Sequence, residues 1–75
     1  MELPKIKTRV VHSESKPAWN VIGTELGGKY KIARVPYICT GQNETLDIRE
    51  KQEAYELATF ISTCFNVAYE ETHYW

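Results

Sequence analysis

Cys39, Cys64, His12 and His73 are the side chains of this sequence with the widest chemical reach. Together they have the atoms of a zinc site, but no C-x-x-C or H-x-x-H spacing brings any two of them together locally. Cys64 beside a histidine is the one conceivable nucleophile–base pair, yet Cys64 falls on an apolar helical stripe, where cysteine packs as a small hydrophobe. Ser13, Ser15 and Ser62 lack the G-x-S-x-G context of an activated serine. Gly27-Gly28 lacks the spacing of a phosphate-binding loop and a following helix, so it reads as a turn. The expectation is a non-enzymatic protein with no cofactor and no metal site.

Binding chemistry is better represented. Lys5, Lys7 and Arg9 alternate with Ile6, Thr8 and Val10, and Lys29 and Lys31 alternate with Tyr30 and Ile32. If both stretches are strands, the five cations line one face. Such a face can neutralise phosphates or an acidic protein surface, or it can be a solvated outer face whose lysines discourage edge aggregation. Residues 1–34 carry seven Lys or Arg against three Glu, or +4, and residues 35–75 carry two against seven, or −5, which gives the net −1 of the chain. Near-neutrality overall argues against a dedicated nucleic-acid binder, while the separation of charge favours a two-sided molecule. Glu50, Glu53, Glu56, Glu70 and Glu71 are too few to imitate a nucleic-acid backbone. Tyr74 and Trp75 end an aromatic tail, 69–75, that either completes the core or anchors an interface, where Tyr and Trp are enriched.

These residues need elements to position them. Period-two patterning predicts strands over about 5–12, 18–24 and 29–38, joined by the polar Ser13–Pro17 segment and the Gly27-Gly28 turn. Pro36 removes a ladder donor, so the third strand ends, bends or lies at an edge there. Asp47-Ile48-Arg49-Glu50 has the form of a capping box and predicts a helix over about 48–68. Ala54, Leu57, Ala58, Ile61, Cys64, Phe65 and Ala68 recur at three- and four-residue steps as its apolar stripe. The expected architecture is α+β: a three-stranded antiparallel meander followed by one long amphipathic helix on one sheet face, β-β-β-α, in a single domain over 1–75. Ile6, Val10, Trp19, Val21, Tyr30 and Ile32 would then meet Leu57, Ile61, Cys64 and Phe65, leaving Lys5, Lys7, Arg9, Lys29 and Lys31 outside.

Seventy-five residues bury a thin core, so stability of a few kcal/mol or reliance on a second copy is expected, and a homodimer fits both. A hydrophobic share of 43% excludes general disorder. No apolar run suits a membrane span or a signal peptide, and two cysteines outside any motif suit reduced thiols in a cytoplasmic protein.

Pro17-Ala18-Trp19-Asn20-Val21 followed by Ile32-Ala33-Arg34-Val35 resembles the P-x-W-x-V and I-A-x-V opening of many short bacteriophage and prophage proteins. Glu53-Ala54-Tyr55-Glu56-Leu57-Ala58-Thr59-Phe60-Ile61 resembles the E-A-x-x-N-A-x-L-I helix that ends them. Leu57 stands where that group has Asn, and Phe65 stands near its usual Pro. The resemblance implies a small accessory protein of a mobile element. Such proteins include anti-CRISPR and other anti-defence inhibitors that occupy a host protein or nucleoprotein complex. It marks core positions and carries over no site. Lys5, Lys7, Arg9, Lys29, Lys31, Tyr74 and Trp75 are the candidate partner-binding residues. The alternative is a small nucleic-acid-binding or regulatory protein that uses the same sheet face.

Overall fold

In the computed structural model, which describes residues 6–24 and 31–73, three strands precede one helix. The strands are β1 (Thr8–His12), β2 (Ala18–Gly23) and β3 (Lys31–Pro36), and the helix is α1 (Glu44–His73). They form an antiparallel sheet in the order β1-β2-β3, with α1 across one side: the expected β-β-β-α arrangement. Regular pairing of β1 begins at Thr8 opposite Gly23, and the Lys7 carbonyl extends it, accepting from the Thr24 backbone N–H at 3.0 Å and the Thr24 hydroxyl at 3.2 Å. β3 stops at Pro36, opposite Ala18 at the start of β2. β3 is an edge strand, and the nitrogen of Pro36 faces away from β2, where a missing donor costs no ladder bond.

Alternation assigns the two faces. Thr8, Val10 and His12 lie opposite Gly23, Val21 and Trp19, and Val21 and Trp19 lie opposite Ala33 and Val35. This is the side that meets α1. Its centre is Val21, Val35, Ala54 and Ala58, with Val10, Trp19, Ile32, Ala33, Tyr37 and Ile61 packed around it. Ala54 and Ala58 let the helix backbone approach the sheet closely, and the core is correspondingly thin.

The sheet-facing stripe of α1 differs from the expected one. Ala54, Ala58, Ser62 and Phe65 are buried, whereas Leu57 is 52% exposed and Cys64 is only partly covered. The sequence carries apolar residues over too wide an arc for one flat sheet to cover. Packing selects 54, 58, 61 and 65 and leaves 57, 60, 64 and 67 outward.

The helix also begins earlier and ends later than 48–68. Asn43 is the N-cap: its Oδ1 accepts the Leu46 backbone N–H at 3.1 Å, and its carbonyl accepts the Asp47 N–H at 2.9 Å. Asp47 is therefore not a cap but a first-turn carboxylate that folds the preceding loop onto the helix. It accepts the Thr40 backbone N–H (2.9 Å), the Thr40 hydroxyl (3.1 Å) and the Gly41 backbone N–H (2.9 Å). Gly41 stands at φ +72°, a conformation that side chains with a Cβ rarely adopt. These bonds, the Thr40 backbone N–H first, hold the Asp47 carboxyl below its usual pKa.

The β1 edge is closed by a side chain. In this ladder Thr8 turns its backbone N–H and C=O away from β2, toward open space. Asn66 of α1 fills that space: its Oδ1 accepts the Thr8 N–H at 2.7 Å and its Nδ2 donates to the Thr8 carbonyl at 3.2 Å. The carboxamide thus substitutes for the peptide of a fourth strand. The buried Thr8 hydroxyl adds bonds to the Ser62 carbonyl (3.0 Å) and the Ser62 hydroxyl (2.7 Å).

Candidate functional site

The sheet face turned away from α1 holds four of the seven described cations. In register, Arg9 lies opposite Ile22, which lies opposite Lys31, and Asn20 lies opposite Arg34. Lys7 precedes Thr8 and falls on the same side as Arg9 by alternation. Lys7, Arg9, Lys31 and Arg34 are all exposed. The three strands contain no carboxylate at all, while α1 carries seven Asp or Glu against Arg49 and Lys51. The molecule therefore has a positive sheet pole and a negative helix pole. Of the residues singled out from sequence, Lys7, Arg9 and Lys31 are brought together here. Lys5, Lys29, Tyr74 and Trp75 lie outside the described residues, as does Tyr30.

A β-bulge makes this grouping possible. Pairing shifts between Val21, which faces Ala33, and Ile22, which faces Lys31, so Ile32 is the extra residue. Counted back from Val35 and Ala33 without the bulge, Lys31 would point at the helix. Counted forward from Lys31 without it, Arg34 would do so. The inserted residue re-aims one segment relative to the other and puts both cations outside. Arg34 was missed from sequence for this reason, although the apolar Ala33 and Val35 on either side of it were the available signal.

Beside the cations the outer face has a small polar recess of about 330 Å³, bordered by Val11, Ser13, Glu14, Asn20, Ile22 and Lys31. Asn20 is 4% exposed, and its Oδ1 has no hydrogen-bond partner.

On the helix side, where β1 ends and β2 begins, four aromatic rings gather. His12 meets Trp19 edge-on at 4.8 Å and Tyr37 at 5.8 Å, and Trp19 meets Tyr55 at 4.8 Å. The Trp19 indole N–H donates to the Lys51 carbonyl at 3.1 Å, which ties β2 to the helix, and the Lys51 ammonium lies 6.0 Å from the Trp19 ring centre. His12 Nδ1 is 2.6 Å from the Ser13 carbonyl, which can only accept, so that nitrogen carries the proton. In the neutral ring Nε2 then accepts the Tyr37 hydroxyl at 2.5 Å. Partial burial raises the Tyr37 pKa, and the Cys39 sulfur nearby adds to the rise. This histidine is committed to orienting a phenol and a loop.

Cys39 is exposed in the loop between β3 and α1, and Cys64 lies about two-thirds of the way along α1; both are free thiols. Among the described residues no group of three His, Cys, Asp or Glu converges. No described helix is long and apolar enough to cross a membrane. Comparison with known protein families, with curated proteins and with solved structures found no match.

Proposed function

We propose that this chain is a small non-enzymatic interaction protein that docks on an acidic macromolecular surface through the sheet face opposite α1. The observation that carries the reading is the convergence of Lys7, Arg9, Lys31 and Arg34 on a face whose strands hold no carboxylate. Four cations on a rigid pleat present a fixed pattern to a partner, which favours fast, oriented encounter. In its narrower form, resting on the resemblance to short phage proteins, the chain is a phage-encoded inhibitor that works in the host cytoplasm. Its partner is a host defence nucleoprotein complex of CRISPR type, whose nucleic-acid channel or partner surface it occupies.

The same cations suit phosphates, but the described strand residues of this face include no aromatic ring on which a base could stack. Protein is accordingly the favoured partner, and nucleic acid is the alternative that the experiment separates.

The test is charge reversal. The double variant Arg9→Glu/Lys31→Glu alters exposed residues and is expected to melt like the parent. In a pull-down from host lysate treated with nuclease, the parent is expected to recover a defence complex that the variant does not. Recovery by both would refute the docking face. Retention of a 20-nucleotide single strand by the parent at low salt, lost in the variant, would replace the protein reading with the nucleic-acid one.

A further inference from the structure

The outer sheet face holds one polar group for which the fold itself has no use. Asn20 stands on the central strand, opposite Val11 of β1 and Arg34 of β3. Its neighbours on that side of β2, Ala18 and Ile22, are apolar and buried, so the pattern calls for a third apolar residue between them. The position holds a carboxamide instead, 4% exposed, whose Oδ1 is enclosed and has no hydrogen-bond partner. A buried acceptor without a donor weakens a fold, and an apolar side chain of similar shape avoids that loss. A local rule broken at no gain to the fold points to a use outside it.

The recess of about 330 Å³ beside Asn20 suits such a use. Ser13, Glu14, Ser15, Asn20 and Lys31 border it. With Oδ1 enclosed, the amide nitrogen is the end of the carboxamide that an occupant can reach. The wall supplied by the connection from β1 to β2 is held in place by its own bonds. The Ser13 N–H donates to the Ala18 carbonyl at 2.9 Å, and the Ser13 Oγ accepts the Lys16 N–H at 3.3 Å. A wall fixed beforehand loses little freedom on binding. The Asn20 amide, the Lys31 ammonium and two serine hydroxyls make the recess rich in donors. Arg34, opposite Asn20, and Arg9, opposite Ile22, add positive charge around it. Such donors suit a small anion with two acceptor oxygens. Glu14 is the one carboxylate among the bordering residues and opposes that charge.

We propose that this recess receives a Glu or Asp side chain of the partner protein, its carboxylate held between the Asn20 amide and the Lys31 ammonium. The inference rests on the acidic-protein reading of the docking face and adds an uncharged residue to it. The cations attract any acidic surface, whereas a directional bond from Asn20 fixes where one carboxylate must sit.

Nuclear magnetic resonance on the ¹⁵N-labelled full chain tests this, with an acetylated and amidated tetraglutamate peptide added at low salt. The side-chain amide resonances of Asn20 are expected to move saturably with the peptide and to stay still with its tetraglutamine counterpart. Asn20→Leu is expected to melt no lower than the parent and to bind tetraglutamate about tenfold more weakly, the loss of one hydrogen bond to a charged group. Glu14→Gln, which removes the opposing charge, is expected to bind it more tightly. Asn20 resonances that stay still while tetraglutamate binds would overturn the proposal, and this measurement decides even if Asn20→Leu does not fold. A folded Asn20→Leu that binds like the parent would also overturn it. Either result leaves docking by charge alone standing, which the lysate pull-down reads separately. Weaker binding by Glu14→Gln would show that the recess prefers a donor and would sink the carboxylate assignment. So would Asn20 resonances that respond to inorganic phosphate or a 20-nucleotide strand but not to tetraglutamate.

Discussion

Replacing Asn66 with alanine removes the side chain that completes the β1 edge. The variant loses the bonds from the Thr8 N–H (2.7 Å) and to the Thr8 carbonyl (3.2 Å), together with a longer one from the Thr8 hydroxyl (3.3 Å). The hydroxyl keeps its bonds to Ser62. Among the described residues the two backbone groups have no other hydrogen-bond partner, and Thr8 is only 4% exposed, so water reaches them poorly. An unsatisfied buried group costs about 1–3 kcal/mol, and the sites here are partly covered, which puts the loss at about 2–4 kcal/mol. For a chain of this size, total stability of about 4–11 kcal/mol is expected, so the loss is a large fraction of it. Urea unfolding followed by circular dichroism reads it as a lower midpoint at unchanged slope, and the thermal midpoint should fall by about 10–25 °C. Asn66→Asp keeps an acceptor for the Thr8 N–H but offers the Thr8 carbonyl no donor, and should lie between parent and Asn66→Ala. A change below about 0.5 kcal/mol for Asn66→Ala would refute the view that this carboxamide stands in for a fourth strand.

Other perturbations follow from the same contacts. Asn20→Leu replaces a buried carboxamide whose oxygen is unpartnered with an apolar side chain of similar size; the melting temperature should rise by a few degrees, and a fall would mean that the carboxamide stabilises the fold. Ala58→Leu forces a larger side chain against Val21 where neither has any exposure, and should cost about 1–3 kcal/mol in urea unfolding, whereas an unchanged midpoint would place slack in the core. Because the Asp47 pKa is lowered by folding, its contribution to stability is fully present above the ordinary carboxylate range and is lost as pH falls through the lower folded value. Stability measured from pH 6 downward should therefore decline less in Asp47→Ala than in the parent, and parallel curves would remove Asp47 from the acid response.

The helix and the three strands were legible because periodicity reports burial, and most of these elements bury one side. Val10, Val21 and Ala58 landed where the pattern put them. Leu57 and Cys64 did not, since periodicity marks every apolar residue on an arc and cannot say which part of the arc the sheet covers. The start of the helix was misread because Asn43 and Asp47 both have capping chemistry. Tertiary contacts decided between them: Asp47 is taken up by Thr40 and Gly41, while Asn43 is free to cap. The joining of Lys7, Arg9 and Lys31 was legible as alternation, whereas the place of Arg34 was signalled only locally, by the apolar Ala33 and Val35 on either side, because the alternation that starts at Lys31 is broken by the bulge at Ile32. The aromatic cluster joins His12, Trp19, Tyr37 and Tyr55 across 43 positions of sequence, a proximity that only the fold creates.

The extra residue at Ile32 makes chain length, rather than residue identity, the control over this surface. Removing that one position while leaving every lysine and arginine in place would restore strict alternation along β3 and swing either Lys31 or Arg34 toward the hydrophobic layer. A related protein with all four cations but one residue fewer at that point would share the composition and lack the charged display.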